Sequence, residues 1–247
     1  MRAFAKEASI DPSPAWLRDE RHVYSCVAGP IMPRFLGWED GERPLLLLED
    51  LSPNAYRPPP WRDGDVDAVL AALAEVAAAP RTGELPALVD GGWPGWRDVE
   101  REPEPLLGLG LLASSWLERA LPELVAASDC APLAGSSLVH CDVRSDNLCL
   151  RDGRAILVDW NHARVGNPAF DVAFWLPSLE LEGGPPPDRF GVDELAAAAA
   201  RRAAGPRLPA RPARGRAPLG VPRARPAAAR LAVATLAAGA LAPPMTD

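Results

Sequence analysis

The segment 138–160, LVHCDVRSDNLCLRDGRAILVDW, constrains the fold more than any other part of this sequence. Two of its carboxylates and its one amide, on Asp142, Asp159 and Asn147, lie between short apolar runs that are typical of strands. An Asp-Gly pair between two of these runs predicts a hairpin over 148–158. Because a hairpin returns the chain to its starting point, we expect Asp159 beside the loop that holds Asp142 and Asn147.

Carboxylate and amide oxygens are the ligands that hard cations prefer. Mg²⁺ usually binds one or two carboxylates together with the phosphates of a substrate. Kinases use the same parts: an Asp that accepts a hydroxyl proton, an Asn on a metal ion, and a second Asp after a strand. The spacing therefore matches a Mg²⁺-dependent phosphoryl-transfer site.

A zinc or thiol site on His140, Cys141 and Cys149 is the competing interpretation of this segment. Structural zinc sites usually have two ligands that are two to four residues apart. Cys141 and Cys149 are eight residues apart, and Cys130 precedes Cys141 by eleven. His140 and Cys141 would point to opposite faces of a strand. Buried free cysteines that act as small apolar residues explain the pattern better.

Composition limits the compartment and the partners. The four cysteines have no paired spacing, which suits a reducing cytoplasm. No signal peptide is evident, and the longest apolar run, 231–242, is too short for a membrane span of about 20 residues. Residues 1–194 contain 17 basic and 32 acidic side chains, a net charge of −15. We expect no nucleic-acid partner and no membrane; the acidic surface either favours a cationic substrate or is simply solvated.

The remaining pattern predicts alternating short strands and helices in the first 80 residues. A strand is expected at AFAKEA, a helix over 13–27, a hairpin over 33–50 and a helix ending at Pro80. Residues 91–105 are predicted to be irregular, with two helical stretches at 106–121 and 122–128. GLGLLA at 108–113 fits a dinucleotide-binding fingerprint but lacks the preceding strand that this motif requires.

HCDVRSDN, ILVDW and NPAFDVAF together resemble the aminoglycoside phosphotransferase and choline kinase superfamily, which has a protein-kinase-like fold. The resemblance implies that Asp142 is the catalytic base and that Asn147 and Asp159 hold Mg²⁺. It also implies that His140 and Asp171 support the catalytic loop.

The resemblance extends towards the N-terminus. AFAKEA and WLRDERHVY are similar to the strand that carries the ATP-binding lysine and to the helix whose glutamate pairs with it, which makes Lys6 and Glu20 the pair. Lys6 is the only lysine among 26 basic residues. A compact ammonium can lie between the α- and β-phosphates, whereas a planar guanidinium has a different shape. LLLLEDLS is similar to the segment that meets adenine, so backbone groups of Glu49, Asp50 and Leu51 are expected to bind the nucleotide.

The sequence departs from the family pattern at two places. Only five residues precede Lys6, so the hairpin that covers the phosphates in kinase-like folds is not in this sequence. Either the chain is N-terminally truncated, or it binds nucleotide without that cover. Arg144 and Asp146 replace the small or apolar residues and the Gly that are common in the family loop, and both are candidate substrate contacts. The aromatic side chains of Trp93 and Trp96 are further candidates.

These observations predict an α+β, protein-kinase-like two-lobe fold, with an incomplete N-terminal β-lobe over 1–53 and a mostly helical C-terminal lobe over 54–204. Residues 205–247, rich in Pro, Arg and Ala, are expected to be disordered, or to result from a shifted reading frame. The predicted activity is transfer of the γ-phosphoryl group of ATP, or of GTP, to a hydroxyl of a small molecule. A catalytically impaired nucleotide-binding or scaffold protein is the alternative. The sequence does not indicate an oligomeric state.

Overall fold

The computed structural model of the chain describes residues 2–8, 13–90, 95–108 and 113–192, together with Ala199. The described residues form two compact units, one within 1–92 and 132–192 and the other within 93–131. The predicted boundary at 53/54 stays a prediction. The predicted boundary at 204/205 and the tail 205–247 lie outside the described residues.

The described elements are short strands in small antiparallel sheets and separate runs of helices, which confirms the predicted α+β class. In chain order they are β1 (Ala3–Glu7), α1 (Ser13–Cys26), β2 (Phe35–Glu39), β3 (Leu45–Glu49), α2 (Asp65–Ala78), α3 (Trp96–Arg101), α4 (Glu104–Leu107), α5 (Ser114–Asp129), β4 (Ser137–Val139), β5 (Leu148–Arg151), β6 (Arg154–Leu157), β7 (Arg164–Gly166) and α6 (Ala169–Leu181).

The first unit begins with an antiparallel sheet of strand order β1-β3-β2. Leu46 and Leu48 alternate with less buried residues along β3 and are almost fully buried, as expected for a strand with one face in the core. Lys6 lies opposite Leu46 in the register of β1 and β3. The predicted strand, helix and hairpin of this region are all present.

The 138–160 segment forms the predicted hairpin. Strands β5 and β6 pair antiparallel, and Leu148 lies opposite Leu157 at the open end. The Asp152-Gly153 turn has positive φ at both residues, 52° and 72°, which is the conformation that a two-residue turn of this type requires. Strand β4 pairs separately with β7, so the loop between β4 and β5 starts at one small sheet and ends at another.

The second unit is helical in its described part, and it corrects two predictions. Residues 96–101 form α3, although the surrounding segment was expected to be irregular. Helix α5 continues through Pro122, where a break was expected. The buried residues Leu117, Ala120, Leu124 and Val125 lie on both sides of this proline and pack into one cluster. That burial offsets the hydrogen bond that a proline removes from a helix.

No helix within the described residues has both the length and the apolar character needed to cross a bilayer.

Candidate active site

Lys6 is the centre of a charged cluster that joins three distant parts of the first unit. Its Nζ atom donates to both carboxylate oxygens of Glu20 on α1, at 2.9 and 2.6 Å, and to Oδ1 of Asp159 at 2.7 Å. The Glu20 side chain is only 2% exposed, whereas that of Asp159 is 46% exposed. One ammonium thus bridges a buried carboxylate and an accessible one.

The charges of Lys6 and Asp159 stabilise each other against burial. Burial lowers the pKa of Lys6, but the nearby Glu20 and Asp159 carboxylates outweigh this effect and raise it above its ordinary value. Burial raises the pKa of Asp159, but the Lys6 ammonium overrides it and holds this pKa below its usual value. Lys6 and Asp159 are therefore both charged at neutral pH.

Asp142 lies in the loop of residues 140–147 that connects β4 to the hairpin, and it is 7% exposed. Its Oδ2 atom accepts hydrogen bonds from Asn147 Nδ2 at 2.9 Å and from Arg144 Nη2 at 3.0 Å. Asn147 Nδ2 also donates to the Asp142 carbonyl at 2.9 Å. The five-residue step between Asp142 and Asn147 thus closes the 140–147 loop on itself.

His140 is fully buried and occupies both of its ring nitrogens. Nε2–H donates to the Val158 carbonyl at 3.1 Å, and Nδ1 accepts from the Asp142 N–H at 3.3 Å. Burial lowers the pKa of His140 to about 4. The neutral ring therefore ties the 140–147 loop to the end of the hairpin, and its edge-to-face contact with Trp160 supports this position.

Asp171, in the first turn of α6, holds the beginning of the 140–147 loop. Its two carboxylate oxygens accept from the backbone N–H groups of His140 and Cys141, each at 2.7 Å. Cys141 has φ of 65°, a left-handed conformation that is uncommon outside glycine. The two hydrogen bonds to a buried carboxylate stabilise this conformation, so that successive N–H groups face the same acceptor.

The residues around Asp159 are compatible with Mg²⁺. The oxygen donors are the carboxylates of Asp142 and Asp159 and the amide of Asn147, which suit a hard cation. Asp142 is close enough to Asp159 for its charge to act on the pKa of Asp159. Among the described residues, no group of three or more His, Cys, Asp and Glu side chains forms a complete metal cluster.

The segment expected to meet adenine begins at the last residue of β3. The Glu49 carboxylate accepts from Arg151 at 3.1 Å, and Asp50 pairs with Arg2 at 3.1 Å. Leu51 is buried with Cys149 and Ile156. The side chains of this segment are therefore engaged in the protein, and a nucleobase contact there would involve the backbone.

The four candidate substrate residues differ in position. Arg144 contacts Asp142 and also Asp146, the latter at 3.5 Å. Trp96 is 1% exposed and lies in the apolar cluster of the second unit, so it presents no face to a substrate. Trp93 lies outside the described residues.

Two features of the site were not identified from the sequence. Phe4 lies two residues before Lys6 on β1, on the same face of the strand, and is 51% exposed. The two-residue spacing of Phe4 and Lys6 on a strand could have indicated this from the sequence. Glu182, just after α6, accepts from Ser145 in the 140–147 loop at 2.6 Å, and no local pattern indicates this contact across 37 residues.

A family model described as the phosphotransferase enzyme family matches residues 3–213. No curated protein matches the chain. Among solved structures, the gentamicin complex of APH(2″)-IIa gives a TM-score of 0.50 at 15% identity, over 93% of this chain and 74% of that one. This likeness shows a protein-kinase-like fold, as the sequence predicted.

Two further structures are similar at lower scores. An aminoglycoside-3′-phosphotransferase of type VIII gives a TM-score of 0.49 at 19% identity, over 93% of this chain and 83% of that one. The streptomycin–ATP–APH(2″)-IIa ternary complex gives 0.45 at 15% identity, over 69% of this chain and 63% of that one. In this last comparison the present chain covers less than two thirds of the other chain.

Proposed function

Because this chain belongs to the phosphotransferase enzyme family of the aminoglycoside phosphotransferase and choline kinase superfamily, we propose that it transfers the γ-phosphoryl group of ATP to a hydroxyl of a small molecule. The observation that carries this proposal is the position of Lys6. Its ammonium bridges Glu20 and Asp159, which are 14 and 153 residues away in the chain. A buried glutamate that orients the only lysine next to an accessible aspartate suits the binding of a phosphate and a metal ion.

Each residue has a distinct task in this proposal. Lys6 binds the phosphates, held in place by Glu20. Asn147 and Asp159 hold Mg²⁺, which would neutralise charge on the phosphates. Asp142 orients the acceptor hydroxyl and takes its proton. Phe4 lies on the Lys6 face of β1 and supplies an aromatic surface for the nucleobase, near the backbone of residues 49–51.

The acceptor is proposed only as a class, a small hydroxylated molecule. Gentamicin and streptomycin appear in the names of the compared complexes and are therefore suitable first compounds for a screen. The net charge of −15 over residues 1–194 supports a cationic acceptor. GTP is tested in the same screen as an alternative phosphoryl donor.

One observation supports the alternative, a nucleotide-binding or scaffold protein with impaired catalysis. The Arg144 guanidinium lies 3.0 Å from Oδ2 of Asp142. Arg144 and Asn147 together occupy the lone pairs of this oxygen, which is then less available to the hydroxyl of an acceptor. This alternative predicts that nucleotide binds but that no phosphoryl group is transferred.

The test combines nucleotide binding with slow ATP hydrolysis. The wild-type chain should bind the non-hydrolysable analogue AMP-PNP with Mg²⁺ and hydrolyse ATP. Asp142→Ala should retain binding and lose about 100-fold or more in hydrolysis, the usual contribution of a general base. Asp159→Ala should abolish the dependence of binding on Mg²⁺.

Asp63→Ala, at an exposed turn residue, is the matched control and should leave both measurements unchanged. If no nucleotide raises the melting temperature of the wild-type chain, the proposal is wrong. Binding without hydrolysis or transfer to any screened acceptor would favour the impaired protein.

A further inference from the structure

The 140–147 loop is held at two points, by the first turn of α6 and by the residue that follows this helix. At its beginning, the N–H groups of His140 and Cys141 donate to Asp171 in the first turn of α6. Near its end, the Ser145 hydroxyl donates to Oε1 of Glu182 at 2.6 Å. Asp171 and Glu182 are eleven residues apart, about 16 Å along a helix. Helix α6 thus sets the distance between the two carboxylates that bind the two ends of the loop.

Glu182 is itself fixed by a second donor. Trp61 Nε1 donates to its other carboxylate oxygen, Oε2, at 3.1 Å. The Trp61 ring packs against Trp175 of α6, with ring centroids 5.5 Å apart. Burial raises the pKa of Glu182, Asp146 adds to this effect, and the two hydrogen bonds oppose it. A carboxylate with one neutral donor on each oxygen has a defined orientation, unlike a solvated surface group.

Ser145 and Asn147 lie in the same short turn. Residues 145–147 form a single 3₁₀ turn, closed by hydrogen bonds from Asn147 N–H to the Arg144 carbonyl at 2.9 Å and from Leu148 N–H to the Ser145 carbonyl. The Asn147 side chain then reaches back to Asp142. A displacement at Ser145 therefore moves both the proposed metal ligand and the hydrogen bond that orients the proposed base.

We propose that Glu182 is a positioning residue for phosphoryl transfer: through Ser145 it holds the 145–147 turn so that Asn147 faces the metal ion and Asp142 faces the acceptor. This inference rests on the proposed function of Asp142 and Asn147. Glu182 acts through Ser145 and contacts neither the nucleotide nor the metal ion. Groups behind the metal ligands usually contribute about 10- to 100-fold to metal affinity or activity.

The first test measures Mg²⁺-dependent binding of AMP-PNP. Glu182→Ala should raise the Mg²⁺ concentration for half-saturation about tenfold and leave the fold intact. Glu182→Gln should have a Mg²⁺ half-saturation close to that of the wild-type chain. Its amide oxygen can accept from Trp61 while its NH₂ donates to the Ser145 hydroxyl. Ser145→Ala should reproduce the effect of Glu182→Ala, and the double variant should be no worse than either single variant. Glu75→Ala, which removes an exposed carboxylate paired with Arg154, is the control.

The second test needs no nucleotide. Hydrogen exchange measured by mass spectrometry should show faster exchange of the Asn147 and Leu148 amides in Glu182→Ala, with the His140 and Cys141 amides still protected by Asp171. If the wild-type chain binds no nucleotide, the proposed function fails, and exchange still decides whether Glu182 holds the turn. Unchanged exchange together with an unchanged Mg²⁺ half-saturation would overturn the inference. Additive losses in the double variant would also overturn it.

Discussion

At the scale of single residues, burial and hydrogen bonding hold His140 in one tautomer and one charge state. Its Nδ1 atom accepts from the Asp142 N–H, so a proton on that nitrogen would face another donor. Its pKa is lowered to about 4 by burial, against about 6.5 in an unfolded chain. The neutral ring is thus part of the geometry that orients Asp142.

This pKa shift predicts a pH-dependent stability. Between pH 6.5 and 4 the unfolded chain binds a proton at His140 that the folded chain does not, so stability falls as the pH decreases. The loss reaches about 3 kcal/mol near pH 4. Urea unfolding at a series of pH values gives the free energy of unfolding at each pH. In this window the free energy should fall less steeply with decreasing pH for His140→Phe than for the wild-type chain. The exposed His22, changed to Gln, is the control; equal slopes for wild type and His140→Phe would contradict the assignment.

Residue types and their spacing indicated most of the polar site. The Asp142–Asn147 step and the single lysine are local signals, and the structure places them together. The burial of Trp96 was not foreseen, because an aromatic residue beside glycines and prolines has the composition of a loop. Its neighbours on α5 are 21 or more residues away in the chain, and this packing decides its exposure.

At the scale of elements, the pairing of β4 and β7 places the 140–147 loop against α6. Gly166 ends β7, and the backbone N–H of the following Asn167 donates to the Leu133 carbonyl at 3.0 Å. A Cβ atom on Gly166 would lie 2.6 Å from Leu88 Cβ and 2.9 Å from the Leu133 carbonyl oxygen. The chain therefore approaches so closely here that only glycine fits.

Gly166→Ala should destabilise the protein by about 2 kcal/mol, the usual cost of an overpacked site, because the nearest atoms include backbone. Gly37→Ala is the matched control on another strand, since its added Cβ would meet Leu47 at 3.5 Å, an ordinary contact. Chemical denaturation measures both free energies of unfolding. Equal values for the two variants would show that the strand pair relaxes around the methyl group.

At the scale of the whole molecule, the basic residues are distributed unusually. One lysine among 26 basic side chains lies in the proposed nucleotide site. Its ammonium is partly accessible, with 24% of the side chain exposed, and its raised pKa keeps it protonated. Lys6 is thus the one side-chain amine in the sequence, and its reactivity can be used to monitor this site.

Acylation of amines should therefore label Lys6 more slowly than the α-amino group, which serves as an internal reference. AMP-PNP with Mg²⁺ at ten times its dissociation constant should slow the labelling of Lys6 about tenfold by mass action, without changing the reference. Peptide mass spectrometry measures both rates. Labelling of Lys6 that is insensitive to bound nucleotide would contradict its contact with the phosphates.

By itself, the sequence determined strands β1 to β6, helices α1 and α2, the β5–β6 hairpin and the residues that carry the proposed chemistry. These features depend on alternation, turn residues and short spacings, which act over a few neighbouring positions. Only the tertiary structure decided that Lys6 contacts Asp159, that Pro122 continues a helix and that Glu182 holds Ser145. Those contacts arise from the packing of segments far apart in the chain, where burial outweighs local preference and leaves no periodic signal.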